Sequence, residues 1–333
     1  MGYKIWVHAE ALDGKLNNVT FELLSKAHEL SESMKSMGGA TVEATLIGNG
    51  LLEAASLLAG HGASAVYTAD DPKLRMYSPL TYVPILTELV MSHKPDIYLF
   101  GATAIGSALG PAVAARLKTG MAAHCVDILI DEKKQLKALV PSFGGKIMGE
   151  ILCPERRPQM ASVKPGVFLQ KPAQAVPLKI YPADPSIWKH GDNEERLTPV
   201  KIVRQPPHGI PLNEADVVVC GGFGVGDTKN WEKLEALAGY LGGAIACTRP
   251  AVDEGWIEES AMVGTSGQNI RPKVYIGFGI SGAAHHVCGM NNAGVVINVN
   301  IDKDASVFDV SDFCAVADVK TILPALIEAV KPK

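Results

Sequence analysis

The chain has 333 residues, of which 47% are apolar and 20% are charged, and its formal net charge is −4. This length allows two domains with a hydrophobic core each, and the composition excludes a disordered chain. The weakly negative balance, with no long basic run, argues against nucleic acid or an anionic membrane surface as a partner. No apolar stretch approaches the roughly 20 residues that span a bilayer, and no leader pattern is found, so we predict a cytoplasmic protein without membrane insertion.

The six cysteines are spread along the chain and form no Cys-x-x-Cys pair. Metal clusters and disulfide frameworks usually show close cysteine spacing, so we predict reduced thiols. Cys220 and Cys247 end apolar runs, which indicates thiols in the cores of strands.

Strand and helix patterns alternate through the first half of the chain. We predict strands at residues 3–9, 41–47, 65–68 and 97–100, and helices at residues 20–37, 51–59, 79–92 and 104–117. This alternation predicts a parallel sheet covered by helices on both faces. Four further strand patterns, at residues 126–130, 136–140, 146–151 and 159–163, predict an antiparallel extension of the same domain.

Residues 165–204 are rich in proline, which disfavours regular helix and predicts an extended linker. We therefore divide the chain into an N-terminal α/β domain, residues 1–204, and a C-terminal domain, residues 205–333, and the linker favours a C-terminal domain that swings. Strand–helix alternation resumes in the second half, which predicts a Rossmann-like fold. Its predicted strands are residues 215–220, 244–248, 274–278 and 294–299, and its predicted helices are residues 231–241, 281–287 and 319–330.

Residues 274–284, VYIGFGISGAA, are the strongest indication of a binding site. A buried strand that ends in glycines and leads into a helix presents bare backbone N–H groups, which suit a phosphate or diphosphate. The spacing is not Gly-x-Gly-x-x-Gly, so a purely structural turn remains the alternative. The same choice applies to the glycine-rich residues 221–226, which follow another predicted strand.

Other side chains are expected at the carboxyl edge of the same sheet. Arg249 follows a predicted strand and could stabilise negative charge on a bound ring, or form a salt bridge with Asp253 or Glu254. Thr265 and Ser266 offer hydroxyls to a heteroaromatic edge, although a plain turn uses the same residues.

His285 and His286 are adjacent, so on a helix they point about 100° apart and cannot chelate one metal efficiently. One of them can face a ligand while the other faces solvent or the core. Asn300 and Asp318 end or follow later strands and are candidates for sugar or base groups. We find no nucleophile elbow, Walker loop or zinc-protease motif, and no acid about 20 positions after Gly282 in a convincing ribose-binding context, so the chemistry is predicted to belong to a cofactor.

Several motifs in the same order resemble the electron transfer flavoprotein alpha-subunit family over nearly the whole chain. They include Arg157 with the following PQMASVKPG, Arg249 with Ala251 and Asp253, and residues 279–283 with His286 and Met290. The resemblance implies a heterodimer with a beta subunit and one FAD held mainly by the C-terminal domain. It implies the following cofactor-binding residues: Thr248, Arg249, Val263, Gly264, Thr265, Ser266, Ser281, Gly282, Ala283, Ala284, His285, His286, Asn300, Asp318 and Val319.

By this resemblance, residues 281–283 receive the FAD phosphates and Arg249 lies against the isoalloxazine. Ser266 takes the place of a threonine that bonds flavin N5, and His286 reaches the O2 side as a cationic or hydrogen-bonding partner. Asn300 and Asp318 contact the adenosine part. The implied redox partners are an acyl-CoA dehydrogenase-type flavoprotein and ferredoxin or flavodoxin, and some relatives bifurcate electrons from NADH.

The sequence departs from the family pattern at a few positions. Phe223 stands where an arginine is usual, Thr265 where a glutamine is usual, Thr248 where a serine is usual and Ala112 where an arginine is frequent. These departures affect the expected flavin potential and FAD affinity and leave the expected fold unchanged. The alternative functions are a nicotinamide-dependent dehydrogenase and a non-catalytic assembly subunit.

Overall fold

The structure is a computed structural model that describes residues 2–142, 147–189, 197–203 and 209–331. It divides into two compact units, which are described separately. The first comprises Met1–Pro141 and Met148–Val203, and the second comprises Ser142–Ile147 and Arg204–Lys333. The predicted domain boundary near residue 205 and Lys146 of a predicted strand lie outside the described residues.

Twelve of the described strands and five of the described α-helices belong to the first unit, except that Ser142, at the end of one strand, and Ile147, at the start of the next, fall in the second unit. The strands are β1 (Tyr3–Ala9), β2 (Ala11–Leu12), β3 (Lys15–Leu16), β4 (Ala40–Gly48), β5 (Val66–Asp70), β6 (Ile97–Gly101), β7 (Met121–Cys125), β8 (Asp127–Ile130), β9 (Leu136–Ser142), β10 (Ile147–Ile151), β11 (Gln159–Val163) and β12 (Ile180–Pro182). The helices are α1 (Asn18–Ser33), α2 (Leu52–Gly60), α3 (Pro79–His93), α4 (Ala104–Leu117) and α5 (Ser186–Lys189).

A seven-stranded sheet in the order β12-β5-β4-β1-β6-β11-β7 forms the centre of this unit. All six pairs of neighbouring strands in this sheet are parallel, as the alternating sequence pattern predicted. Side chains alternate across a strand, so Ile5 and Val7 enter one hydrophobic core and Trp6 enters the other. Both faces of the sheet are therefore buried.

Three details of this unit differ from the sequence-based expectation. The strand at residues 159–163 forms as predicted, but β11 pairs in parallel with β6 and β7 inside the main sheet. The antiparallel extension is the separate three-stranded sheet β10-β9-β8. Within the proline-rich stretch, β12 pairs with β5 at the edge of the main sheet, a position that tolerates proline because an edge strand leaves some N–H groups unpaired. The short helix α5 follows it, so the stretch is not linker throughout.

The second unit is a five-stranded parallel sheet flanked by four α-helices among the described residues. The strands are β13 (Val217–Gly221), β14 (Ala244–Cys247), β15 (Val274–Phe278), β16 (Val295–Asn300) and β17 (Phe313–Val316), and the helices are α6 (Thr228–Tyr240), α7 (Arg249–Asp253), α8 (Ala284–Met290) and α9 (Val319–Val330). Short 3₁₀ turns lie at Lys35–Met37, Pro72–Leu74, Phe223–Val225, Glu259–Ala261 and Ser306–Val310.

The strand order β14-β13-β15-β16-β17 makes this a doubly wound sheet. The chain crosses from one side of β13 to the other between β14 and β15, which creates a switch point between β13 and β15. In open α/β sheets, ligands bind at such a point, outside the carboxyl ends of the strands. The sequence pattern predicted β15 and α9 with their observed bounds and missed the edge strand β17, whose four residues include the exposed Phe313 and Val316.

Among the described residues, no helix combines the length and the apolar character that crossing a bilayer requires. The same part of the chain contains no cluster of three or more His, Cys, Asp or Glu side chains that could hold a metal ion.

Candidate functional site

A cavity of about 760 Å³ lies at the carboxyl edge of the sheet in the second unit. The segments that follow β13, β14, β15 and β16 contribute its walls. The lining residues are Phe223, Gly224, Thr248, Arg249, Pro250, Met262, Val263, Gly264, Thr265, Ser266, Gly267, Gly279, Ile280, Ser281, Ala283, His285, His286, Asn300, Asp302, Asp304, Ala305 and Ser306. The cavity has the size range of small-molecule and cofactor sites.

Two glycine turns meet at the base of this cavity. The Gly224 N–H donates to the Gly279 carbonyl oxygen at 3.0 Å, and a Cβ on Gly279 would lie 2.6 Å from the backbone of Gly224. Gly279 also has a φ of +62°, which disfavours other residues. Close backbone packing therefore requires glycine at Gly224 and Gly279, which accounts for part of the glycine pattern that the sequence showed.

The turn after β15 presents unpaired backbone donors. The N–H groups of Ser281, Gly282 and Ala283 have no hydrogen-bond acceptor within the described part of the chain. Ser281 and Ala283 line the cavity, and backbone donors are normally satisfied, so the unpaired N–H groups of this turn fit an anionic ligand group. The helix α8 begins at Ala284, three residues later than the sequence predicted, so these donors belong to the turn and not to the helix.

Arg249 is the first residue of α7 and lines the cavity, as expected for a side chain at this edge of the sheet. Its Nε donates to Asp253 Oδ1 at 2.7 Å, and the arginine side chain is 62% exposed. Arg249 thus forms the salt bridge with Asp253 that the sequence allowed and is also one of the residues that line the cavity.

The loop at residues 263–267 is bound tightly to the beginning of α8. The Thr265 N–H and hydroxyl both donate to the His285 carbonyl oxygen, at 2.7 and 3.2 Å. A Cβ on Gly264 would lie 2.4 Å from the same oxygen. The loop residues Thr265 and Ser266 line the cavity and carry hydroxyls.

His286 lies between this loop and β15. Its Nδ1 is 3.0 Å from the Val263 carbonyl oxygen and its Nε2 is 2.7 Å from the Tyr275 hydroxyl. Burial lowers the pKa of His286 to about 4, so the ring is neutral at pH 7. The resemblance implied a cationic or hydrogen-bonding group at flavin O2, whereas here burial favours the neutral imidazole and both ring nitrogens already have protein partners.

Asn300 ends β16, Asp302 follows it, and both line the cavity. The Asn300 side-chain N–H donates to the Ile280 carbonyl oxygen at 2.8 Å, and its Oδ1 accepts from the Asp302 N–H at 2.9 Å. Asn300 therefore fixes the loop after β16 against the turn after β15. Asp302 stands twenty positions after Gly282, although the sequence alone gives it no convincing ribose-binding context. The context became clear only when β15, α8 and β16 formed one βαβ unit ending at this carboxylate.

The cavity wall holds eleven of the fifteen residues that the resemblance implied. The other four lie elsewhere: Gly282 packs on Val307, Ala284 begins α8, Asp318 accepts the Lys320 N–H at the start of α9, and Val319 is the buried first residue of that helix.

Phe223 is a lining residue that the sequence presented only as a departure from the family. Its ring is 62% exposed and stacks with the ring of Trp256, with centroids 6.3 Å apart and an interplanar angle of 15°. Asp304 also lines the cavity, and its N–H donates to Asp302 Oδ1 at 3.0 Å. No strand or motif signal marked Asp304, because its place depends on the fold of the loop after β16.

A doubly wound sheet with glycine turns, unpaired N–H donors and a cationic side chain around one cavity defines an α/β protein of the nucleotide-binding class. Residues 5–186 match the electron transfer flavoprotein domain, and residues 211–291 match the electron transfer flavoprotein FAD-binding domain. The chain belongs to the electron transfer flavoprotein alpha-subunit family. Its cofactor is FAD, and the unpaired donors of the turn and the guanidinium of Arg249 fit the negative charge of that group.

Similar curated proteins agree in length with this chain. The electron transfer flavoprotein subunit alpha of Clostridium acetobutylicum is 39% identical over 98% of this chain and 96% of its own length. Protein FixB of Clostridium saccharobutylicum has the same identity and coverage. The acryloyl-CoA reductase electron transfer subunit beta of Anaerotignum propionicum is 35% identical over 98% of this chain and 95% of its own length.

Proposed function

We propose that this chain is the FAD-binding subunit of a heterodimeric electron transfer flavoprotein that carries electrons between two redox proteins. The observation that carries the proposal is the cavity at the β13/β15 switch point, where Ser281 and Ala283, whose N–H groups are unpaired, and Arg249 line the same space. Family membership supports the same conclusion.

The parts of FAD are assigned by the chemistry of the wall. The donors of residues 281–283 suit the diphosphate, and the Asp302 carboxylate suits the ribose hydroxyls of the adenosine half. Arg249 and the hydroxyls of Thr265 and Ser266 suit the flavin ring, where fixed positive charge and hydrogen bonds stabilise negative charge.

The protein contributes binding and electrostatics to this function. When bound, FAD supplies the chemistry by taking up and releasing electrons. The ionisable side chains of the described cavity wall are Arg249, His285, His286, Asp302 and Asp304. His286 is neutral and held by protein partners on both nitrogens, so its ring is not poised as a general acid.

The proposed partners are an electron transfer flavoprotein beta subunit, an acyl-CoA dehydrogenase-type flavoprotein, and ferredoxin or flavodoxin. A relative named as an electron transfer subunit of acryloyl-CoA reductase supports acyl-CoA metabolism as the setting. In an NADH-dependent bifurcating complex, a second flavin and the NADH site would belong to the beta subunit. We also propose a cytoplasmic location and two functional domains, residues 1–204 and 205–333.

Co-expression of the chain with its beta subunit tests the proposal. The purified pair should show flavin absorption, FAD as the released cofactor and reduction by an acyl-CoA dehydrogenase with its substrate. Oxidation of NADH coupled to ferredoxin or flavodoxin reduction would add bifurcation. A pair that binds only a nicotinamide cofactor would support the dehydrogenase instead, and a colourless pair that stays colourless with added FAD would support an assembly subunit.

A further inference from the structure

The protonation of His286 follows from its two hydrogen bonds. A carbonyl oxygen only accepts, so the contact between Nδ1 and the Val263 oxygen requires the proton on Nδ1. In the neutral ring Nε2 then carries a lone pair, and the Tyr275 hydroxyl, 2.7 Å away, must donate to it. The geometry thus defines a relay in which Tyr275 donates to His286 and His286 donates to Val263.

The surroundings of this relay exclude its charged forms. Tyr275 is fully buried and His286 is 6% exposed. The titratable groups beside them are the thiols of Cys220, whose Sγ is 3.9 Å from Nε2, and Cys247. Burial raises the pKa of both thiols and that of the Tyr275 hydroxyl, so all three keep their protons near neutral pH.

The relay ends on the loop that forms one wall of the cavity. Val263 begins this loop, and its N–H is bound in turn to the Cys247 carbonyl oxygen at 3.0 Å. Further along, the loop is bound to the His285 carbonyl oxygen through Thr265. Two successive residues of α8 therefore hold the loop, one through its backbone and one through its ring.

We propose that Tyr275 is a positioning residue for FAD, acting through His286. Its hydroxyl fixes the Nδ1–H form of the ring, and that N–H holds the Val263 carbonyl, so residues 263–267 stay at a set distance from the turn at residues 279–283. The proposal rests on the proposed function, because the loop and the turn are the walls assigned to the flavin ring and the diphosphate. Without the Tyr275 hydroxyl, Nε2 is a buried acceptor with no oxygen donor. The Nδ1–H form of the ring is then no longer favoured over the Nε2–H form.

The first test uses nitrogen NMR of the histidine rings in the full chain without FAD at pH 7. His286, assigned by its loss in His286→Asn, should show the Nδ1–H form, and Tyr275→Phe should mix the two neutral forms. A wild-type ring in the Nε2–H or cationic form, or an unchanged ring in Tyr275→Phe, would overturn the relay. This measurement needs no flavin, so it is independent of the proposed function.

The second test measures FAD affinity of the full chain by fluorescence titration. Tyr275→Phe should bind FAD about tenfold more weakly, which corresponds to loss of one net buried hydrogen bond. Tyr82→Phe is the matched control, because it removes another buried tyrosine hydroxyl, which donates to the Leu74 carbonyl oxygen at 2.7 Å in the first unit. The control should bind FAD as the wild type does.

The third test separates positioning from general stability. His286→Asn keeps a donor for Val263 that does not depend on Tyr275, whereas His286→Leu removes the donor. We expect His286→Asn to bind FAD more tightly than His286→Leu, and we expect Tyr275→Phe to have no added effect in the His286→Asn chain. An additive effect would show that Tyr275 acts independently of His286 and would refute the proposal.

If Tyr275→Phe alone does not fold, the comparison of the two His286 variants still tests the proposal: equal FAD affinities would refute the relay. Wild-type protein that binds no FAD at all would refute the proposed function while leaving the NMR result intact.

Discussion

Arg249 and Asp253 form an ion pair across one turn of α7, with Nε 2.7 Å from Oδ1. Both side chains are more than half exposed, so the pair lies in solvent. If Arg249 lies beside the flavin ring as proposed, the carboxylate of Asp253 would reduce the positive field that the guanidinium exerts on it. Asp253 itself does not line the cavity.

Asp253→Asn should raise the two-electron potential of bound FAD, because it removes negative charge beside Arg249. Because the pair is exposed and screened by solvent, the expected shift is small. Arg249→Ala should lower the potential. Redox titration measures both effects, and Asp216→Asn is the control. Asp216 forms an ion pair with Lys273 at the same N–O distance, 2.7 Å, but neither residue lines the cavity. Equal shifts in Asp253→Asn and Asp216→Asn would contradict a local effect.

Phe223→Arg should raise the FAD potential by about 30–60 mV. The substitution places a cation on the cavity wall, and a charge-assisted contact is worth about 1.5–3 kcal/mol. Phe313→Arg is the matched control, since Phe313 is also 62% exposed but lies on the edge strand β17. The two potentials are measured by spectroelectrochemical titration. Equal potentials in Phe223→Arg and Phe313→Arg would show that Phe223 does not lie near the flavin.

Asp302→Asn should weaken FAD binding about tenfold and leave FMN binding unchanged. Asparagine can keep the Oδ1 contact with the Asp304 N–H, 3.0 Å in the structure, while losing the charged acceptor for ribose hydroxyls. FMN lacks the adenosine half of FAD, so comparing the two flavins by titration isolates that contact. Asp309→Asn, at an exposed position in the 3₁₀ turn Ser306–Val310, is the control. Equal losses of affinity for FAD and FMN would show that Asp302 does not contact the adenosine half of FAD.

The stability of the first unit should depend on pH through His8. This ring is buried, its Nδ1 is 3.1 Å from the Thr45 hydroxyl oxygen, and burial lowers its pKa from 6.5 to about 4. Between pH 6.5 and pH 4, His8 is therefore protonated in the unfolded chain but neutral in the folded chain. The free energy of unfolding consequently decreases as pH falls toward 4. The loss is about 3 kcal/mol.

Denaturant unfolding at pH 7.5 and pH 4.5 measures this dependence. His8→Asn should reduce the difference in unfolding free energy between the two pH values, whereas replacement of the exposed His124 by asparagine should not. An undiminished difference in His8→Asn would assign the acid sensitivity to other groups.

Local patterns predicted most of the regular structure. The helix α4 and the strands β11 and β15 formed with the predicted bounds, because periodicity and turn residues act within a few positions of one another. The pairing of strands within the sheets was harder to predict from the sequence. The strand pattern of β11 was correct, but its parallel place between β6 and β7 depends on contacts with strands far away in the chain.

The candidate site shows the same division. The sequence showed Gly279 and Gly282 in the turn and Arg249 after a strand, since turn geometry and strand ends are local features. The neutral state of His286 was not visible, because it depends on burial beside Tyr275 and on a carbonyl oxygen 23 positions earlier.

The amino-acid order by itself determined a two-part α/β chain of the electron transfer flavoprotein family, with a glycine turn suited to a diphosphate. Only the tertiary structure decided which side chains share the cavity: it placed Phe223 and Asp302 on the wall, and Asp318 and Val319 outside it. The reason is physical. Residue type and spacing specify local conformation, whereas charge state and contact with a ligand depend on which distant segments the sheet brings together.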